Sequence, residues 1–408
     1  MKLVFLSTNF RPVVGGVAEM AHHVCAALAA RGHAVTVVTD HAPGPCPGDR
    51  DAPYEVLRVF DPCPYTTTRS PRKFLSVYAW RHLARRQVLA SMRDLRPDVL
   101  LAGNYHSILT PVVLREVRVP YYLILHGGDL RMALGSPLPL RRVSLRRTIR
   151  GSRWVFCNSS YTRSLVERLL PEAGEKASAV GCGYPVDKIP DTIDRAAARR
   201  ALGWDDAPVV LTVARLVSNK GVDVVLRAMS HVARECPGAR YVVAGSGGAR
   251  ASLEALAAEL DLEDCVEFRG YVSEEEKSLL YQAADLFVMA SRPGYRNEIE
   301  GFGITFLEAN AHGLAVVGTW VGGIPDAVED GVNGLLVAPD DPEALVRAIG
   351  ALLSDPTRCR AMAETGRRRI REKFNWARIA EAMESRLLVA ESASPTKVVD
   401  RNYHTRRP

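Results

Sequence analysis

Two glutamates eight residues apart, Glu300 and Glu308, close the ends of a segment that reads Glu300-Gly301-Phe302-Gly303-Ile304-Thr305-Phe306-Leu307-Glu308-Ala309-Asn310-Ala311. Ile304, Leu307 and Ala311 recur at helical spacing, and Gly301 and Gly303 permit a tight turn before them. A helix is therefore expected to begin near Gly303. Glu300 falls just before its first turn, and Glu308 projects from its inner part beside an apolar stripe. A carboxylate there is costly unless it is hydrogen-bonded, and the hydroxyls of a sugar or a ribose would satisfy it. The helix start also offers unpaired N–H groups suited to an anion.

Cations come from an earlier loop. Arg215 and Lys220 lie in Val213-Ala214-Arg215-Leu216-Val217-Ser218-Asn219-Lys220-Gly221, after an apolar run that reads as a strand. A guanidinium fork and a point charge on one loop suit a diphosphate; two exposed cations on a plain turn is the simpler reading. Gly15-Gly16 follows the first strand and opens the first helix, where glycine lets the backbone approach a ligand and the helix start favours negative charge. Gly245-Ser246-Gly247-Gly248 repeats that pattern after another strand. Either glycine group is also consistent with a turn and nothing more. His126-Gly127-Gly128-Asp129 follows the run Tyr121–Leu125 at its carboxyl end, the edge where open parallel sheets place functional side chains.

The elements that must carry these residues alternate short apolar runs with amphipathic stretches. Lys2–Ser7, Ala34–Thr39, Val99–Ala102, Tyr121–Leu125 and Trp154–Asn158 read as strands, separated by helices at Ala18–Ala30, Leu75–Met92, His106–Val117 and Leu140–Arg150. The rhythm restarts with strands at Val209–Val213, Tyr241–Ala244, Cys265–Phe268, Leu286–Met289, Ala315–Gly318 and Leu335–Val337. This βαβ order predicts an α/β protein of two doubly wound halves facing each other across a cleft. We divide it into residues 1–190, 191–375, a last helix over 376–391 that crosses back to the first half, and a frayed tail, 392–408.

The hydrophobic share of 47% and charged share of 24% are those of a globular chain. No run approaches the ~20 apolar residues of a membrane span, and the N-terminus reads as a strand rather than a signal peptide. The eight cysteines form no C-x-x-C pair and no metal-ligand spacing. Reduced thiols and a cytoplasmic location are the expectation. The net charge of +7 is uneven: residues 1–190 hold 26 Lys/Arg against 14 Asp/Glu, and residues 69–153 hold 17 against 4. Arg142, Arg146 and Arg150 fall on one face of a helix. Such a surface suits an anionic membrane, a polyanion or a phosphate-bearing acceptor; an Arg-rich solvated face is the alternative. Nucleic acid is not expected, because aromatics make up 7% of the chain and do not interleave with the arginines.

The ordered set Gly15-Gly16, His126-x-x-Asp129, Arg215-x4-Lys220, Gly245-x-Gly247 and Glu300-x7-Glu308 resembles the retaining GT-B glycosyltransferases of family four. Gly322-Gly323-Ile324-Pro325 and Asp330-Gly331-x-Asn333-Gly334 extend the resemblance to about residue 390. It implies that Arg215 and Lys220, with the backbone of Gly16, neutralise the diphosphate of a nucleotide-sugar donor. By the same resemblance Glu308 accepts the ribose hydroxyls. Glu300 contacts the transferred sugar beside the backbone of Phe302, Gly303 and Ile304, and His126 lines the reaction centre. Retention of configuration, no divalent metal and no cofactor beyond the donor are implied. The first half would meet the acceptor, with Asp129, Arg142 and Arg146 on that side, and would touch the inner face of the plasma membrane peripherally. The long segment Ser291–Ile299 is similar to that of mannosyltransferases acting on phosphatidylinositol mannosides and related lipids, and also to that of several exopolysaccharide and natural-product enzymes, so it leaves the donor open. A departure is Gly181-Cys182-Gly183-Tyr184-Pro185-Val186-Asp187, where many members carry Asn-Gly-Val-Asp. A nucleotide-sugar epimerase of the same fold, a phosphorylase using a sugar phosphate, and a non-catalytic nucleotide- or polyanion-binding protein are the competing readings.

Overall fold

The computed structural model describes residues 1–13, 15–64, 71–135, 139–294 and 298–392. The expected tail beyond residue 392 lies outside the described residues. Among those described, strands β1 (Lys2–Leu6), β2 (Ala34–Asp40), β3 (Glu55–Phe60), β4 (Val99–Ala102), β5 (Tyr121–Leu125), β6 (Trp154–Cys157) and β7 (Ala177–Ala179) form one sheet in the order β3-β2-β1-β4-β5-β6-β7. Strands β8 (Val209–Val213), β9 (Arg240–Ala244), β10 (Val266–Gly270), β11 (Leu286–Val288), β12 (Ala315–Thr319) and β13 (Gly334–Val337) form a second, in the order β10-β9-β8-β11-β12-β13. Every pairing within the two sheets is parallel.

Helices cover both faces of each sheet, so the strands carry apolar residues on both sides. Leu3 and Phe5 pack into one cluster while Val4 and Leu6, one step out of phase, pack into another. The first half contributes α1 (Gly16–Ala30), α2 (Pro71–Leu95), α3 (Thr110–Leu114), α4 (Gly128–Leu134), α5 (Pro139–Gly151) and α6 (Ser160–Leu169). The second contributes α7 (Arg195–Leu202), α8 (Val222–Glu235), α9 (Arg250–Glu259), α10 (Glu274–Ala283), α11 (Ile304–Ala311), α12 (Ile324–Ala327), α13 (Pro342–Leu353) and α14 (Pro356–Glu372).

The final helix, α15 (Trp376–Ser392), packs on α1 of the first half. Ile379, Ala380, Met383 and Leu387 are buried there. Glu384 accepts from Arg31 Nη2 at 2.5 Å and lies 2.8 Å from His33 Nε2. The two chain crossings between halves run side by side, with Tyr184 N donating to Phe374 O at 2.7 Å and a parallel bridge between Tyr184 and Asn375. In both sheets the strand order reverses beside the first strand of the half, between β1 and β4 and between β8 and β11. The loops leaving those strands open a crevice at the carboxyl ends, the general ligand position of open α/β sheets.

Several local expectations change. The helix expected over His106–Val117 shortens to Thr110–Leu114, because His106 N bonds back to Thr110 Oγ1 at 2.9 Å and holds the preceding residues in a turn. Strands β3 and β7 and helices α4, α6 and α12 are added to the sequence reading.

Candidate functional site

The cations and the first carboxylate meet. Lys220 ends a short 3-10 turn, Ser218–Lys220, and Gly221 follows with φ 67°. A Cβ on Gly221 would collide with the Ala290 carbonyl, so glycine is what lets the loop after β8 lie against the exit of β11. From there Lys220 Nζ forms an ion pair with Glu300 Oε2, and both side chains are mostly buried, at 16% and 17% exposure. Burial pushes the Glu300 carboxyl up. Lys220, the Phe302 N–H and the charge of Arg215 outweigh it and hold the group below its ordinary value. Arg215 itself is exposed and makes no ion pair among the described residues. Glu298, the neighbouring acid, is exposed.

Gly303 starts α11 in the left-handed region, at φ 93°, and no side chain caps the helix. Gly15 starts α1, also without a side-chain cap. Five helices, α6, α7, α10, α13 and α14, are each capped by a serine or aspartate, whereas α3, α4, α8, α9 and α12 share the uncapped state of α1 and α11. The starts of α1 and α11 face one another across the cleft: a Cβ on Gly16 would lie 3.2 Å from Ile304 Cδ1. Open N–H groups of two helices, Lys220 and the field of Arg215 thus converge on one region, a setting made for a polyanion.

Glu308 differs from expectation. The sequence leaves its carboxylate alone on an uncharged helix, but Tyr281 Oη donates to Oε2 at 2.9 Å and Lys277 Nζ lies 3.6 Å from Oε1. Both partners sit one turn apart on α10, whose pairing with α11 no local spacing reveals. Burial raises the Glu308 carboxyl above its ordinary value, with Lys277 and the Tyr281 hydroxyl opposing. Lys277 also bonds Glu274 at 2.8 Å.

His126 leaves the end of β5, and its Nε2 donates to the Gly103 carbonyl at 2.8 Å. Its own carbonyl lies 2.8 Å from where a Cβ of Gly301 would stand, so the two halves touch here. Asp129, expected on the acceptor side, turns inward. Its Oδ1 accepts from Leu130 N at 2.9 Å and its Oδ2 from His126 N at 3.4 Å, bracing the turn that starts α4. Burial raises this carboxyl, with the charge of His126 opposing. Arg142 and Arg146 are engaged with backbone: Arg142 Nη2 donates to Leu134 O and Arg146 Nε to Leu169 O, at 2.9 and 2.7 Å. Arg150 pairs with Glu172 at 2.6 Å. The three arginines expected on one basic face are thus each bonded to a neighbouring element, while Arg142 and Arg150 remain exposed.

Gly245 and Gly247 lie behind the Arg215 loop. Leu216 N donates to Ser246 O at 2.9 Å, and a Cβ on either glycine would strike the carbonyl of Ala214 or Leu216. Among the described residues no group of three or more His, Cys, Asp or Glu could hold a metal ion, and no helix is long and apolar enough to cross a membrane. Residues outside the sequence reading also shape the site. Arg131 Nη1 donates to Ile299 O across the cleft at 2.9 Å, and Lys277 and Tyr281 frame Glu308.

Comparison with known proteins fits this geometry. Residues 14–188 match the family described as Glycosyltransferase Family 4, and residues 194–369 match Glycosyl transferases group 1. The GDP-mannose-dependent alpha-(1-6)-phosphatidylinositol monomannoside mannosyltransferase of Mycobacterium tuberculosis is 30% identical over 93% of this chain and 96% of its own. The Mycolicibacterium smegmatis protein of the same name is 34% identical over 64% of this chain and 69% of its own. Among solved structures, sucrose-phosphate synthase from Thermosynechococcus elongatus superposes with a TM-score of 0.78 at 24% identity, covering 96% of this chain and all of that one. An Anabaena protein solved with UDP and glucose gives 0.75 at 19%, covering 95% and 100%. The fold is therefore GT-B, and nothing in these likenesses favours an epimerase or a non-catalytic binder. With a relative of 30% identity matched nearly end to end and both halves matching family profiles, the chain belongs to the group 1, family 4 glycosyltransferases and is a glycosyltransferase.

Proposed function

We propose that the chain transfers a hexose, with mannose from GDP-mannose the leading candidate, to an acceptor hydroxyl with retention of configuration and without a divalent metal. The observation that carries this reading is the Lys220–Glu300 pair beside Arg215, at two uncapped helix starts. The donor diphosphate would sit against Lys220, Arg215 and the N–H groups near Gly16 and Ile304. As the bond from the sugar C1 to the diphosphate oxygen breaks, the electron pair passes to that oxygen. The cations and helix starts then stabilise charge where it grows, the function a metal serves elsewhere. The acceptor hydroxyl attacks C1 from the same face, and its proton passes to the departing phosphate oxygen. Glu300 would hold the sugar hydroxyls, Glu308 the ribose, and the His126 loop the rim of the reaction centre.

The acceptor would enter from the first half, and a lipid-linked acceptor suits it. Leu75, Tyr78 and Leu83 of α2 are exposed, as are Leu140 and Val143 of α5. The helix α3 lies between the two and contacts both. Apolar side chains on a strongly basic stretch fit peripheral contact with an anionic bilayer, which would place the protein at a cytoplasmic membrane face. The mycobacterial relatives are named for phosphatidylinositol monomannoside.

The test is a thermal-shift and turnover panel of nucleotide sugars in EDTA. GDP-mannose should raise the melting temperature by mass action and turn over with the chelator present, and proton NMR of the product should show the donor's anomeric configuration. Stabilisation by none of the panel, or an inverted product, refutes the reading.

A further inference from the structure

The turn Gly322-Gly323-Ile324-Pro325 enters the family pattern without a task of its own, and Asp326 follows it directly. Asp326 belongs to α12 in the second half, yet its Oδ2 accepts a hydrogen bond from the backbone N–H of Ser160, the first residue of α6 in the other half, at 2.5 Å. The local cap of α6 is Ser159, whose Oγ accepts from Thr162 N at 3.1 Å. A first-turn donor of this helix is therefore satisfied from across the cleft. A carboxylate at a helix start gains from the dipole as well as from the bond.

Two glycines make the approach possible. A Cβ on Gly301 would lie 2.8 Å from the His126 carbonyl and 3.0 Å from Asn158 Nδ2, and one on Gly323 would lie 2.8 Å from Ser159 Cβ. Bare backbone of the second half thus rests on residues 126 and 158–160 of the first. The same turn also holds the loop that carries the ion-paired glutamate: Gly323 N donates to the Glu300 carbonyl at 3.0 Å.

We propose that Asp326 is a positioning residue that latches the two halves shut, capping α6 and, through Gly323, fixing Glu300 opposite Lys220 in the same movement. This deepens the transferase reading, since it assigns the closing contact of that site. When the halves part, water solvates both the carboxylate and the Ser160 N–H, so the latch biases closure by about tenfold rather than locking it. A cleft that must admit substrate and release product needs a contact of that modest size.

Hydrogen-exchange mass spectrometry on the full chain tests this without any turnover, so its outcome is separate from the donor and acceptor assignment. In Asp326→Ala, peptides covering 126–131, 158–163 and 299–303 should exchange about tenfold faster. Asp326→Asn, which keeps an acceptor oxygen without the charge, should fall between. Gly301→Ala leaves Asp326 in place and wedges the cleft sterically, so it should loosen the same three peptides. If Asp326 serves its own short helix alone, exchange will rise at 322–330 and stay at the parent rate at 158–163. That pattern, or a Gly301→Ala protein with unchanged exchange at 126–131 and 158–163, overturns the latch.

Discussion

Replacing Lys220 with alanine should harm stability and catalysis through different physics, and a second substitution should separate them. The ion pair with Glu300 is mostly buried. Alanine removes the counter-charge and leaves a carboxylate whose remaining support is the Phe302 N–H and the more remote charge of Arg215. Breaking one side of a buried pair costs about 3–5 kcal/mol. For a half of this size each kcal/mol moves the melting temperature by about 2–4 °C, so a fall of about 6–20 °C is expected. Burial would also raise the Glu300 carboxyl once its partner is gone. Adding Glu300→Gln removes the stranded charge and should recover most of the lost stability, with a coupling of about 2–3 kcal/mol. Turnover should not recover, because stabilisation of the departing diphosphate is lost in both variants, at about 10²–10³-fold. Differential scanning calorimetry and initial rates on the two single variants and the double variant give the full cycle. A double variant as unstable as Lys220→Ala, or a single variant within 1 °C of the parent by this estimate, would refute the pairing.

Glu308→Ala should weaken GDP binding by about 10–100-fold in titration calorimetry with a smaller effect on kcat, since two hydrogen bonds to a charged group are lost from the donor. Acid separates the two glutamates. Glu300 is held low, so the stability it contributes is complete above its ordinary value of 4.5 and fades as pH falls through its lowered one. Glu308 is raised, so its contribution is complete below 4.5 and fades as pH rises through its raised value. On acidification Glu308 is thus the first of the two to take a proton: GDP affinity should begin to fall above pH 4.5, and Glu308→Gln should flatten that limb. Leu140→Asp with Leu75→Asp should abolish co-sedimentation with acidic vesicles, and equal binding by parent and variant would remove the membrane contact. Met383→Ala, buried between α15 and α1, should cost about 2–4 kcal/mol in urea unfolding.

The central parallel strands were legible because apolar runs buried on both faces stand out from their neighbours. The two missed strands, β3 and β7, are the sheet's edges. Glu55-Val56-Leu57-Arg58-Val59-Phe60 buries only Phe60 fully, and Ala177–Ala179 has no bulky apolar side chain to announce it. Helix α6 carries a legible signal, the Ser159 cap and the spacing of Leu165, Val166 and Leu169. Within the site, Lys220 and Glu300 could be named from local patterns, although their contact joins residues 80 apart. The Tyr281–Glu308 and Ser160–Asp326 bonds span 27 and 166 residues and leave no spacing signal at all. The inward turn of Asp129 and the bonded state of Arg142 and Arg146 follow from neighbouring backbone carbonyls and N–H groups, which side-chain patterns do not encode.

The paired crossings at Tyr184 and Asn375 restrict how the molecule can move. A single tether would let one half swing and twist freely. Two strands of chain bound together, with Arg367 also donating to the carbonyls of Pro190 and Asp191, leave rotation about one line as the easy motion. Because α15 belongs by packing to the half that begins the chain, cutting the polypeptide at residue 190 would yield no self-sufficient piece: the leading fragment would expose the apolar groove on α1, and the trailing one would carry an orphaned helix. Any gene-level recombination that exchanges the first half must therefore exchange the two ends of the chain together.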